Sequence, residues 1–348
     1  MKFLIICSLA KNTGGYLRGE YLAESLRKQN HQVVYVKSFK RLPLDLYYIF
    51  SLPYYLYKAM TTKADVAICL KTFPNAMIPV LMKKISNTKT VVDIDDLDYG
   101  FSKLGNVIKA VQVPFIKYFD LVMVHNENLH NLVVNEYGIG KEKVHKIEQG
   151  VPLNIFDPTK YDLKKTRKEL GIEGKKVIGY QGHLSRASDL EPILRIFKET
   201  SKKISNMILL VVGGGTKYEE YVKMAKEMGI ENIKFTNYVP PERCAELVAA
   251  SDACIVYYPK TEGNKYRSSM KLREYLAMGK PVICNSFADL ETFKKYTYQF
   301  DKDEEAEEAF KKALKPDKRE VKGKEFVREN MSWEKIGQNI VERIKTIS

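Results

Sequence analysis

A lysine and a glutamate stand three residues apart in "RSSMKLREYLAMGKPVI", Arg267 to Ile283, at Lys271 and Glu274. Residues at that spacing share one face of a helix. Ser268 or Ser269 can cap the helix by accepting a backbone N–H from its first turn. Lys271 then falls where the helix dipole disfavours a cation. A lysine there suits an anionic ligand, with Glu274 in reach of a second part of the same molecule. A surface Lys–Glu pair on an ordinary helix is the plain alternative. Leu272, Tyr275 and Leu276 fall toward the core, and Gly279 ends the helix before "KPVIC" enters a sheet.

Three further loops carry residues capable of chemistry. In "GHLSRASDL", Gly182 lets backbone approach a ligand beside His183 and Ser185, and Arg186 can fork onto a phosphate. In "VVGGGTKYEE", Gly213, Gly214 and Gly215 sit between an apolar run and a helical pattern. That order predicts bare N–H groups at a helix N terminus, an anion site. The stretch lacks both G-x-G-x-x-G and the phosphate-loop Lys-Ser/Thr, and a glycine turn needs no ligand. In "NYVPPERCAEL" a Pro-Pro loop opens a helix and can cover a planar base with backbone around Tyr238 and Val239.

These loops need a scaffold that presents them together. Apolar runs at 2–9, 32–37, 65–70, 90–95, 121–126 and 144–149 alternate with helical patterns, and runs at 176–181, 207–213, 232–237, 253–258 and 281–285 repeat the scheme. Continuous Val/Ile/Leu runs predict parallel strands buried on both faces. Strand–helix alternation predicts an α/β fold of doubly wound sheets, twice over. The connection lies around 151–176, which gives a first domain at 1–157 and a second at 158–331, two Rossmann-like domains facing a cleft. The amphipathic segment 332–348 forms a terminal helix. In open parallel sheets, ligands bind at the carboxyl ends of the strands.

A chain of 348 residues, 45% hydrophobic, fits two domains with real cores. Cys7, Cys69, Cys244, Cys254 and Cys284 are scattered, without a CxxC pair, which reads as reduced thiols in a cytoplasmic protein rather than a disulfide or zinc framework. The opening "MKFLIICSLAKNTGG" reads as a first strand rather than a leader. No uncharged apolar stretch is long enough to span a bilayer. The net charge of +14 calls for a polyanionic partner or a lysine-rich surface. RNA-binding and zinc-finger signatures are absent, so no nucleic-acid partner is expected.

Taken together, "SSMKLREYLAMGKPV" and the loops above resemble the nucleotide-binding domain of retaining GT-B glycosyltransferases, the large family four (glycosyl transferases group 1). "NTGGYLRGEYLAESLRKQNHQV" is similar to that family's first loop and helix, "IEQGVPLNIFDP" to its linker, and "SWEKI" to the helix that crosses back onto the first domain. The resemblance covers essentially the whole chain. It implies a nucleoside-diphosphate sugar as donor substrate, a saccharide or lipid-linked acceptor, and no required cofactor. It places Glu274 on the ribose and Lys271, Ser269 and the helix N terminus on the diphosphate, with Arg186 assisting. Ser268, Gly182, His183, Gly213, Gly214, Tyr238 and Val239 complete the donor side. Gly14 and Gly15 line the acceptor side.

The chain departs from the family pattern. Many members carry a second glutamate eight residues before Glu274, where this chain has Tyr266, and Glu262 is out of register. The usual arginine after the strand glycine is His183 here. Where many members have a histidine after the fourth strand, "DIDDLD" places Asp95. Its clustered carboxylates Asp93, Asp95, Asp96 and Asp98 can hold Mg²⁺. GT-B enzymes generally meet the leaving diphosphate with dipoles and cations, so the expectation is a sugar contact by Asp95 and no metal. His125 and Asn126 close another strand, as substrate contacts or as structural residues. The alternatives are a nucleotide-sugar epimerase on the same architecture and a binding subunit without catalysis.

Two segments stand apart. "LYYIFSLPYYLYKAM" is dense in Tyr and Leu, and "YGFSKLGNVIKAVQVPFIKYF" carries Lys103, Lys109 and Lys117 without an acid. Basic aromatic helices suit the plane of an anionic membrane, and core helices are the alternative. The expectation is a cytoplasmic protein, peripheral on the inner face of the cell membrane.

Overall fold

The computed structural model describes residues 1–9, 11, 13–38, 44–97, 99, 105–185, 190–315 and 317–347, with 44–49 described by backbone alone. Arg186, Lys103 and Asp98 lie outside these residues. The chain forms two compact units. The first holds Met1–Gly150, Tyr266–Ser268 and Trp333–Ser348, and the second Val151–Lys265 and Ser269–Ser332.

The sheet of the first unit has strands β1 (Lys2–Cys7), β2 (Gln32–Val36), β3 (Val66–Leu70), β4 (Lys89–Ile94), β5 (Leu121–Val124) and β6 (Val144–Lys146), in the order β2-β1-β3-β4-β5-β6. Every pairing is parallel. Side chains alternate across a strand, so each apolar run feeds two cores. Phe3 and Ile5 join Leu22 and Leu26 of α1 (Gly14–Lys28), together with Ile336 and Ile340 of the C-terminal helix (Trp333–Thr346). Leu4 and Ile6 face α2 (Leu44–Thr61), α3 (Pro74–Met82), α4 (Gly105–Ile116) and α5 (Glu127–Asn131), where Tyr55, Met77, Ile116 and Leu129 are buried. The C-terminal helix therefore covers the first unit's sheet. It crosses α1 at Gly337, where a Cβ would come within 2.3 Å of Ser25 Oγ.

The second unit begins with α6 (Leu163–Leu170), capped by Asp162 and closed by Gly171 in the left-handed region. Its strands are β7 (Lys176–Gln181), β8 (Met207–Val212), β9 (Ile233–Phe235), β10 (Ala253–Val256), β11 (Val282–Asn285) and β12 (Tyr298–Phe300). The order is β12-β11-β10-β7-β8-β9. Chain direction across the sheet reverses between β7 and β10, the switch point where doubly wound folds bind ligands. The helices are α7 (Leu190–Lys203), α8 (Tyr218–Glu227), α9 (Pro241–Ala249), α10 (Glu262–Lys265), α11 (Met270–Ala277), α12 (Ala306–Ala313) and α13 (Arg319–Asn330). The sequence reading did not anticipate β12.

Cys7, Cys69, Cys254 and Cys284 are buried, Cys244 is partly buried, and all five are free thiols. Among the described residues, no helix is long and apolar enough to cross a membrane.

Candidate functional site

The switch point of the second unit gathers most of the residues assigned to the donor. Ser269 caps α11, its Oγ accepting from the Leu272 N–H at 3.1 Å. The cap is itself held. The Ser269 N–H donates to Asp289 Oδ2 at 3.1 Å, and the Ser269 carbonyl accepts from Arg273 Nη1 at 2.9 Å. Arg273 pairs with Asp289 at 2.8 Å and lies over the Phe293 ring, both charges buried. The sequence reading missed Arg273 and Asp289. Arg273 sits among the buried Leu272, Tyr275 and Leu276 on an eight-residue helix, too short to show that its charge points inward.

Lys271 stands in the first turn of α11. Its ammonium lies 4.7 Å from the centroid of the Tyr180 ring and 3.5 Å from the Tyr180 hydroxyl. A Cβ on Gly182 would come 3.2 Å from that hydroxyl and 3.5 Å from Lys271 Nζ, so the glycine keeps the space beside the lysine open. Glu274 is buried and accepts a hydrogen bond from Gln181 Nε2. Burial pushes its carboxyl up to about 7, against the opposing pull of Lys271 and Gln181.

Gly213–Gly215 require a correction. They were expected to put N–H groups at a helix N terminus, but α8 starts only at Tyr218. Close backbone approach explains them instead. A Cβ on Gly213 would meet the Gly182 carbonyl oxygen at 2.1 Å, on Gly214 the Asn237 side chain at 2.2 Å, and on Gly215 the Leu184 carbonyl oxygen at 2.2 Å. Gly213 and Gly215 also have φ of 131° and 153°. The loops after β7, β8 and β9 thus pack backbone to backbone. His183 is exposed on the first of them. On the third, Tyr238 is exposed with its N–H on Asn237 Oδ1 at 2.7 Å, and Val239 packs against the small core of Leu210 and Val212.

In the first unit, the carboxyl ends of β4 and β5 meet α1 in a buried charge cluster. Arg18 makes a two-point contact with Asp93, one arm at 2.8 Å, and Nη2 lies 2.6 Å from His125 Nε2. His125 Nε2 is also 2.7 Å from Asp93 Oδ1. Burial alone raises the Asp93 carboxyl, but Arg18 and His125 overcome it and hold the group well below the usual carboxylate range. Lys71 pairs with Asp95 at 2.6 Å and also with Asp96. The sequence reading missed Arg18 and Lys71.

Of the carboxylates that had suggested a metal box, Asp93, Asp95 and Asp96 are each met by a cation, and among the described residues no group of three His, Cys, Asp or Glu is arranged to hold a metal ion. Asn126 caps α5, accepting from the Leu129 N–H at 2.9 Å, and donates to the Tyr266 carbonyl at 2.8 Å. Tyr266, at the position of the family's other glutamate, is buried in the core that α2 to α5 cover. Ser268 belongs to this unit too, its Oγ 3.4 Å from the His125 carbonyl oxygen. Glu262 opens α10, 3.8 Å from Lys265. Gly14 and Gly15 begin α1 behind its Thr13 cap, and a Cβ on Gly15 would strike Leu9 at 2.3 Å.

Residues 162–329 match the family model described as glycosyl transferases group 1, and apart from Tyr266–Ser268 they lie within the second unit. Just under half of the chain thus resembles the group 1 glycosyl transferases. The chain is 26% identical over 244 residues to the teichuronic acid biosynthesis glycosyltransferase TuaH of Bacillus subtilis (strain 168). That match covers 66% of this chain and 58% of TuaH, so the chain spans less than two thirds of that relative's length. Among solved structures, HepE of Anabaena, in complex with UDP and glucose, superposes with a TM-score of 0.76 at 16% identity, covering 99% of this chain and 100% of that one. Sucrose-phosphate synthase from Thermosynechococcus elongatus superposes with a TM-score of 0.80 at 14% identity, covering 99% and 98%. The chain has the GT-B fold of these structures.

Proposed function

We propose that the chain transfers a glycosyl unit, with retention, from a nucleoside-diphosphate sugar to an acceptor hydroxyl. One observation carries this reading. At the β7/β10 switch point a capped helix N terminus presents Lys271, with the buried Glu274 carboxyl one turn on and open space kept by Gly182. Glu274 takes the ribose hydroxyls. Lys271, Ser269, Ser268 and the N terminus of α11 take the diphosphate. Gly182, His183, Gly213 and Gly214 line the donor, Tyr238 and Val239 frame the base, and Arg186 assists departure of the diphosphate. Asp95, His125, Gly14 and Gly15 serve the acceptor in the first unit. HepE was seen with UDP-glucose, which makes a UDP-sugar the first donor to test and a GDP-sugar the second.

In the transfer, the acceptor oxygen bonds to the anomeric carbon as the bond from that carbon to the diphosphate breaks. Charge grows on the departing diphosphate, where Lys271 and the helix dipole meet it. The acceptor proton passes to a phosphate oxygen. The acceptor is a saccharide or lipid-linked saccharide of polysaccharide or glycolipid synthesis, in keeping with TuaH's name. A lipid-linked acceptor would keep the protein on the inner face of the cell membrane.

The test is product analysis with radiolabelled UDP- and GDP-sugars and saccharide acceptors, with the new linkage read by NMR. A retained glycosidic product is expected. Lys271→Ala should lower turnover more than donor affinity, because charge builds up only in the transition state. An isomerised sugar nucleotide would identify the epimerase, and nucleotide binding without product a non-catalytic subunit. Absence of both product and nucleotide binding would sink the reading.

A further inference from the structure

Gln181 is the last residue of β7, at the switch point, and its side chain is buried. Both ends of its amide are engaged. Its Oε1 lies 2.9 Å from Cys244 Sγ of α9, and its Nε2 meets Glu274 Oε2 of α11. Chemistry fixes which end is which. Burial pushes the Cys244 thiol up, so it stays protonated and donates, whereas a carboxylate accepts. The amide must therefore turn its oxygen to the thiol and its NH₂ to the carboxylate. A flipped amide would set two acceptors face to face. The backbone is held as well, because the Gln181 N–H donates to the hydroxyl of Tyr275, the neighbour of Glu274, at 2.7 Å.

We infer that Gln181 is a positioning residue, oriented by the Cys244 thiol, that aims the Glu274 carboxylate at the ribose of the donor. This rests on the role of Glu274 proposed above. With Oε2 committed to Gln181, Oε1 is the oxygen that meets a ligand hydroxyl. Among the described residues, the groups acting on Glu274 are Lys271 on its own helix, Gln181 from β7 and Cys244 from α9, with no second carboxylate among them. The Gln181 hydrogen bond favours the ionised form, the form that accepts from a diol. Without it, Glu274 stays protonated further up the pH scale, and nucleotide binding weakens most on the acid side.

The experiment measures, by calorimetry at pH 6.5, 7.5 and 8.5, the affinity for UDP or GDP, whichever the wild type binds. Gln181→Leu should lose about tenfold at pH 6.5 and recover most of that by pH 8.5. Cys244→Val should shift the same way by less, and Cys244→Ser, which restores a donor, should return what Cys244→Val loses. This pair keeps the test decisive if Gln181→Leu does not fold. Equal affinity of Gln181→Leu and wild type at every pH, with Glu274→Ala impaired, overturns the relay and leaves the site standing. So does Cys244→Val matching wild type while Cys244→Ser does not. Wild-type affinity in Glu274→Ala overturns the site itself, and this inference with it.

Discussion

Arg273 and Asp289 form a buried ion pair, Nη1 to Oδ2 at 2.8 Å, and between them they hold both the N–H and the carbonyl of Ser269. The pair thereby fixes the cap of α11 and with it the direction in which Lys271 and Glu274 are presented. Asp289→Ala removes the carboxylate from a buried ion pair, which costs about 3–5 kcal/mol, so thermal melting should fall sharply. The double variant Arg273→Met with Asp289→Leu should recover most of the stability, because apolar replacement of a buried pair is near neutral. Its nucleotide affinity should stay low, since Ser269 is no longer held. Wild-type affinity in that double variant would show that the pair serves the fold alone.

In the proposed site, the buried Glu274 carboxyl weakens the fold at neutral pH. Its folded carboxyl is raised to about 7, chiefly by burial, above the ordinary value of about 4.3. A raised group contributes stability that is complete below its unfolded value and lost as pH rises through its folded one. The unliganded protein should therefore lose stability between about pH 4.5 and pH 7 through this group. Glu274→Gln, which can still accept from Gln181, should melt higher than wild type at pH 8 and no higher at pH 4.5. The full effect of such a shift is about 4 kcal/mol. The same variant should bind nucleotide more weakly. Identical melting curves at pH 8 would contradict it.

Most of the scaffold was legible because it rests on patterns a sequence displays. Runs such as 207–213 and 253–258 are apolar throughout, and a strand buried on both faces needs that. The cap at Ser269, the inward Leu272, Tyr275 and Leu276, and the Lys271–Glu274 spacing follow from helix geometry over a few residues. What stayed hidden depends on contacts distant in sequence. Nothing local marks Arg18 as the partner of Asp93, 75 residues on. Gln181 and Cys244 meet only because β7 and α9 are neighbours in the folded unit. The three glycines were legible as special, but their reason was not, because the carbonyl that forbids a Cβ at Gly213 belongs to Gly182.

The Arg18–Asp93 pair should govern acid sensitivity in the first unit. Asp93 is held below the usual carboxylate range, so its stabilisation is present above the unfolded value of about 3.9 and lost as pH falls. Arg18→Met should destabilise by about 3–5 kcal/mol at pH 7, because it strands a buried carboxylate beside His125. The deficit should shrink as pH falls toward 3, because the stranded Asp93 of the variant, raised by burial without its cation, is then neutralised by a proton. Chemical denaturation at pH 7 and pH 3 reads both quantities. A deficit of equal size at the two pH values would mean that packing, not charge, holds Arg18 in place.

The last prediction concerns the first unit's surface. Residues 1 to 117 carry 17 Lys/Arg against 8 Asp/Glu, a balance of +9 within the chain's +14. On α4, Val107 and Val111 are 62% and 48% exposed, and only Gln112 and Ile116 of that helix are buried. Lys109 lies over the Tyr99 and Tyr137 rings, 3.9 Å from Glu136, and Lys117 over the ring of the exposed Tyr118. Exposed apolar residues among cations whose stems lie on aromatic rings suit a helix lying in the headgroup plane of an anionic bilayer. Each lysine near such a surface contributes about 1 kcal/mol. The protein should therefore co-sediment with anionic vesicles and be released by salt. Changing Lys103, Lys109 and Lys117 together to Gln should weaken binding by roughly two orders of magnitude. Val107→Ser with Val111→Ser should weaken it at high and low salt alike, because burial of apolar area is not screened. Nucleotide affinity should be unchanged in both sets. Failure of the wild type to co-sediment at low salt would make the charge ordinary surface and favour a soluble acceptor.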